Sequence, residues 1–313
     1  MSATTMTDTT PTGSNKRPMS NTKKALWWLA GVWLAGTIAL IAALGFGHRN
    51  NAFQIQNEFK LTNWVHLGVF SINRAVVYLL IAALLTTVTM IWISRRMHAR
   101  PNRVQTAVEV LYSLMRDNIT RGNMPDSLAA RWFPFLGALF LFLWWSNIIG
   151  YLPLPTNSQE KFNLFGAHIP AFALYAATAN ISVPLILALI VFVAFNTVGL
   201  RAQGPIGYLR SLIPAGVHGP MLLLIFPLEV ISTFMRLISL TIRLFANIFS
   251  GHIIILFMAG GLAVILGLSF LGWALLPVGV LIYLFELVLI ATLQAFIFAT
   301  LAAIYIGGAV THH

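Results

Sequence analysis

The sequence predicts an all-α polytopic membrane protein of about six transmembrane helices, the last two long and tilted, and three observations carry that prediction. Of 313 residues, 58% are hydrophobic and only 9% are charged, with a mean hydropathy of +0.82, whereas soluble domains hold roughly 25% charged residues. Apolar runs recur at 25–46, 74–93, 132–151 and 181–200, and a very long one covers 221–308. About twenty apolar residues cross a bilayer core, so the last tract holds two helices. The basic residues between the runs are one-sided. Lys16, Arg17, Lys23, Lys24, Arg95, Arg96, Arg100, Arg103, Arg116, Arg121, Arg131, Arg201 and Arg210 fall on one side, and Arg49, Lys60, Arg74 and Lys161 on the other. The positive-inside rule makes the richer side cytoplasmic, with both termini on it.

Residues 1–24 are polar and rich in Ser, Thr, Asn and Lys, the composition of a disordered cytoplasmic tail. The run 25–46 follows four basic residues, as a signal peptide would, but its length suits an N-terminal transmembrane helix better. An external loop, 47–73, leads to the main membrane domain, 74–313. After its first span, Val104, Val108, Leu111 and Leu114 recur at helical spacing and predict a helix over 104–119, on or near the cytoplasmic face. Spans at 132–151 and 181–200 follow. Within 221–308, Gly260, Gly261 and Gly267 mark the break between the two long helices. Trp27, Trp28, Trp64, Trp92, Trp132, Trp144, Trp145 and Trp273 mostly fall near the span ends, as aromatic belts do.

Composition also excludes several functions. The net charge of +11, from 19 Lys+Arg against 8 Asp+Glu, reads as membrane topology rather than as a nucleic-acid surface. With no cysteine, disulfides and thiolate metal sites are excluded. No phosphate-binding loop is present, so nucleotide chemistry is not expected on this chain, nor is a cofactor.

Six of the eight carboxylates, Asp8, Glu58, Glu109, Asp117, Asp126 and Glu160, lie in the tail, loops or surface helix; only Glu229 and Glu286 fall in the long apolar tract. The same tract holds Arg236, Arg243 and His252. Glu229, Arg236 and Arg243 are seven apart, drifting about 20° per step on a helix and so sharing one stripe, with Asn247 four residues after Arg243. Arg236 can pair with Glu229 or snorkel to the cytoplasmic interface. Arg243 lies about two turns deeper, and a guanidinium cannot shed its charge, so its counter-charge is expected on another protein. His252, nine residues beyond Arg243, points nearly opposite it; it is either a packing histidine or half of a proton relay with Glu286. Glu286 and Gln294, eight apart, stand about 80° apart around a regular helix.

The stretch SLTIRLFANIFSGH, residues 239–252, resembles the arginine motif of subunit a of the rotary F-type ATP synthase membrane sector, and LVLIATLQAFIFATLAAIY, residues 287–305, resembles that family's last helix. Weaker similarity runs through VQTAVEVLYSLMRDNI, SNIIGYLP and TANISVPLILALIVFV, so the match covers roughly 74–309. The resemblance implies a non-catalytic stator subunit whose two long helices face a ring of c subunits bearing ion-binding carboxylates, with peripheral-stalk b subunits and other ATP synthase subunits as partners in a bacterial inner membrane. It implies two aqueous half-channels that take protons to and from the ring. By position, Arg243 is the family's arginine, Asn247 and Gln294 are matched polar residues, Glu229 matches a glutamate of the cytoplasmic half, and Ser232, Arg236 and Ser239 match polar positions nearby. Four positions depart from the pattern. Ala246 replaces a usual Gly, His252 stands where an acid is common, and Asn180 where Asp is common. Leu287 aligns with a frequent Glu or His, with Glu286 one residue earlier. The alternative is a self-contained secondary ion-coupled transporter, which would place polar groups in broken helices of repeated halves; here the charges cluster towards the C-terminus and no repeat is evident.

Overall fold

The computed structural model describes residues 21–44, 63–67, 70–96, 103–164, 167–211, 221–261, 266 and 269–311. Within these, five stretches are long and apolar enough to cross a membrane: Arg74–Arg95, Asp126–Gly150, Ser182–Ser211, Met221–Leu256 and Phe270–Val310. The chain is a polytopic membrane protein. A further helix of spanning length, α1 (Asn21–Leu44), precedes them; it starts four residues before the expected span, and the rest of the expected tail lies outside the described residues. α1 is held to α7 (Ser269–Phe285) by two indoles that exchange hydrogen bonds. Trp33 Nε1 donates to the Trp273 carbonyl at 3.1 Å and Trp273 Nε1 to the Trp33 carbonyl at 3.4 Å.

The expected spans are α2 (Arg74–Arg96), α4 (Asp126–Gly150), α5 (Ser182–Ser211), α6 (Met221–Leu256) and the pair α7 and α8 (Ala291–Thr311). The expected surface helix is α3 (Arg103–Ser113), continued by a π-helical segment, Leu114–Arg121, whose Met115 and Ile119 are buried in the bundle. Of the glycines expected to break the long tract, Gly260 and Gly261 lie in a π-helical Phe257–Gly261; Gly267 lies outside the described residues. Where sequence gave reason to expect loops, two antiparallel hairpins stand instead: β1 (Asn63–Leu67) with β2 (Phe70–Asn73), and β3 (Leu154–Leu164) with β4 (Ala167–Ala173). The membrane portion itself is all-α.

α4 is central, and Phe140 and Leu143 on it are fully buried together with Leu244 and Ile248 of α6 and Phe298 and Ile306 of α8. α8 can approach this closely because Ala291, Ala295, Ala299, Ala302 and Ala303 form its buried face, and small residues let membrane helices meet backbone to backbone. A second cluster joins Ala75, Tyr78 and Ala82 of α2 to Ile149, Tyr175 and Ala177. α5 runs past the expected end near residue 200 and bends at Gly204, whose φ of 73° suits glycine, directly before Pro205. Beyond the bend, Tyr208 folds back and donates from its hydroxyl to Asn196 Oδ1 at 2.7 Å.

Candidate functional site

α6 is apolar almost throughout, yet much of it stays outside the bundle: Ile231, Phe234, Met235, Ile238 and Ile242 are all exposed. On the same open side lie Ser232, Ser239, Arg243, Asn247 and Ser250. Their spacing of three, four or seven residues puts them along one line of the helix. Arg243 therefore points out of the bundle, and no ion pair links it to a carboxylate among the described residues. Across the line's edge, Asn247 Nδ2 donates to Gln294 Oε1 at 2.9 Å, tying the arginine helix to α8.

Arg236 and Glu229 do not share this outlook. Both are half-buried and make no ion pair with each other. The Arg236 guanidinium lies over the Tyr305 ring of α8, 5.5 Å from its centre, a cation–π contact in place of the expected pairing with Glu229. Arg236 stands only about 20° round the helix from Arg243, so it is the reach of its side chain to the Tyr305 ring, not its place on the wheel, that sets it apart.

On the opposite side of α6, His252 and Glu286 are both buried. They meet no hydrogen bond of each other. The His252 ring nitrogens face two backbone carbonyls, Nδ1 to Ile248 and Nε2 to Gly150, each at 3.0 Å. A neutral imidazole donates to one of these and an imidazolium to both. The Glu286 carboxyl instead lies against Gly251 and accepts a hydrogen bond from the Tyr151 hydroxyl at 3.0 Å. Tyr151 also stacks on His252, ring centres 4.6 Å apart and 33° between planes. A phenol is protonated at physiological pH, so the Tyr151 hydroxyl is available as a donor.

How Glu286 comes to face inward is a matter of helix geometry. Residues Glu286–Ile290 are π-helical, and a π turn spans one more residue than an α turn. Glu286 therefore approaches the face that a residue seven before Gln294 would occupy on a regular helix, and the 80° offset read from the spacing is largely taken up. Leu287, the position the family pattern marks, is only part-buried and packs against Tyr151, Ile255 and Ala291. The widened segment is braced from α4. Asn147 Nδ2 donates to the Ala291 carbonyl at 3.3 Å, Thr178 Oγ1 donates to Asn147 Oδ1 at 2.9 Å, and Trp144 Nε1 donates to Thr292 Oγ1 at 3.0 Å.

Nearer the hairpin end of α2, Arg74 is buried with its guanidinium over the Tyr175 ring, 5.2 Å from the centre. Burial pushes the Tyr175 phenol up against the opposing pull of Arg74. Asn180, one of the departures from the family pattern, caps the start of α5 by accepting from the Ser182 N–H at 3.1 Å. Thus the nine site residues expected from sequence fall into three settings: Ser232, Ser239, Arg243 and Asn247 outward with Gln294 behind them, Arg236 and Glu229 half-buried, and His252 and Glu286 in a closed inner cluster. Tyr151 completes that cluster, and Asn147 braces the helix that follows Glu286. Both lie in SNIIGYLP, where no charge or periodicity sets them apart.

Residues 76–307 match the family described as ATP synthase A chain. Among curated relatives, the ATP synthase subunit a of Anaeromyxobacter dehalogenans (strain 2CP-C) is 32% identical over 244 residues, 77% of this chain and 58% of that one. The subunit a of Frankia alni is 33% identical over 264 residues, 81% of this chain and 84% of the relative. That of Rubrobacter xylanophilus is 35% identical over 250 residues, covering 78% and 88%.

Proposed function

The chain belongs to the ATP synthase A chain family, and on that premise we propose that it is the stator proton channel of a rotary ATP synthase, set beside a ring of c subunits in a bacterial inner membrane. The observation that carries this reading is the outward guanidinium of Arg243, on an apolar helix and without a counter-charge among the described residues. A charge so placed needs a partner, because an isolated ion in hydrocarbon is costly. A carboxylate on a passing rotor subunit supplies one. Near the guanidinium such a carboxyl favours its ionised form, so it gives up its proton before passing and regains one after. The same positive charge keeps protons from crossing directly between the two half-channels, so that flow requires rotation.

In this reading the inner cluster of His252, Glu286 and Tyr151 belongs to the inlet half-channel, and Glu229, Ser232 and Ser239 line the outlet. Asn247 and Gln294 set the arginine's height on α6. The chain carries no catalytic nucleotide site; peripheral-stalk b subunits and the other ATP synthase subunits complete the machine. Both termini are cytoplasmic, 25–46 is a span additional to the 74–313 channel domain, and the bilayer and protons are the remaining partners.

The test is Arg243→Ala in the complete complex reconstituted in liposomes. ATP synthesis driven by an imposed proton gradient is lost while the complex stays assembled. Arg243→Lys fails nearly as badly, because an ammonium deprotonates when desolvated and lacks the planar fork. Robust synthesis by the alanine variant would overturn the reading.

A further inference from the structure

We propose that Tyr151 is a positioning residue of the inlet site, its hydroxyl holding the Glu286 carboxyl while its ring seats His252; the inference rests on the proton-channel reading above.

Tyr151 is wholly buried at the end of α4 and is fixed from both sides. Its N–H donates to the Ile148 carbonyl at 3.1 Å, and its own carbonyl accepts from the Tyr283 hydroxyl at 2.7 Å. A residue so anchored has little freedom to follow a moving carboxyl, so the carboxyl must follow it. Through one turn of chain, two consecutive residues address both titratable groups: the Gly150 carbonyl meets His252 Nε2, and the Tyr151 hydroxyl meets Glu286. Glu286 and His252 do not bond each other, and Tyr151 is in contact with both.

The chemistry needs such a residue. A buried carboxyl that must alternately hold and release a proton needs a donor that stabilises its ionised form, or it stays neutral. The Tyr151 hydroxyl is that donor, at hydrogen-bond length and in line with a ring that cannot swing away. A phenylalanine at this position keeps the ring and the stack on His252 and removes only the hydroxyl. That variant therefore separates positioning from packing.

The experiment compares Tyr151→Phe with Glu286→Gln in the complete ATP synthase reconstituted in liposomes, reading ATP-driven proton pumping and the infrared carboxyl band that disappears in Glu286→Gln. In Tyr151→Phe the complex assembles, pumping falls about tenfold, the scale of one hydrogen bond to a charged group, and the Glu286 band shifts to the frequency of a carboxyl lacking that donor. Unchanged pumping in Tyr151→Phe, with or without a band shift, while Glu286→Gln is impaired overturns the positioning role alone. So does slowed pumping with the band unmoved. Full pumping by Glu286→Gln itself overturns the reading of Glu286 as part of the inlet, and this inference with it.

Discussion

Gly251→Ala tests how closely the inner cluster is fitted. A methyl group on Gly251 would collide with Glu286 Oε2 and lie 2.6 Å from the carboxyl carbon and 2.9 Å from Oε1. Ordinary contact between carbon atoms is about 3.5–4.0 Å, so the carboxyl has to retreat by roughly 1 Å. The obstacle is the far end of a flexible side chain, not backbone, so α6 and α7 keep their places. What gives way is the bond from Tyr151, which a 1 Å retreat stretches from 3.0 Å to beyond hydrogen-bond reach. Losing a hydrogen bond to a charged group costs about 1.5–3 kcal/mol, a factor of roughly ten to a hundred and fifty in the population of the working arrangement. Gly251→Ala therefore assembles with normal yield and thermal stability, and pumps protons at least tenfold more slowly. The assay is ATP-driven acidification of proteoliposomes, with subunit composition checked on the same preparation. Normal assembly with full-rate pumping would refute the argument, because it would mean that the Glu286 carboxyl can leave Tyr151 without consequence.

Gly150→Ala behaves differently. Its Cβ would stand 2.5 Å from Ala176 Cβ and 2.7 Å from Ala176 Cα; backbone cannot step aside, overpacking costs about 1–3 kcal/mol, and the thermal midpoint of the purified complex falls, with partial recovery when Ala176→Gly is added. The topology is open to a direct test because the chain has no cysteine: single cysteines introduced near the two termini react with a membrane-impermeant maleimide only from the cytoplasmic side, and labelling of the two ends from opposite sides would exclude the six-span arrangement.

Spans were legible because burial in lipid demands apolar runs of a set length, and α2 begins at Arg74 as its sequence suggests. The outward arginine was legible as well, since an ion deep in an apolar run has few explanations. Glu286 was not. Its inward turn depends on a widened helical segment that no residue type announces, and spacing arithmetic at 100° per residue puts it off the face it occupies. Tyr151 was hidden for a different reason: its role comes from three elements converging on one turn, a property of packing rather than of local pattern. Arg236 shows the limit of periodicity alone. It lies on the predicted stripe, and the Tyr305 ring on another helix decides where it points. The two hairpins escaped notice because an all-apolar reading treats everything between spans as connection.

The tie between Arg236 and Tyr305 also determines the relief of the open side of α6. Along the polar line through Ser232, Ser239, Arg243, Asn247 and Ser250, drawing Arg236 inward leaves Arg243 as the one charged side chain among short polar ones, with Phe234, Met235, Ile238 and Ile242 exposed beside it. Helices that bind statically interlock ridge into groove, and a neighbour that must move past would have to lift out of every groove at each step. The apolar side chains beside that line present the same chemistry to any apolar neighbour at each step, and the guanidinium alone does not. In the stator reading proposed above, the distinctive event along this face is one electrostatic encounter per passing subunit, which the arrival and departure of a proton can switch on and off.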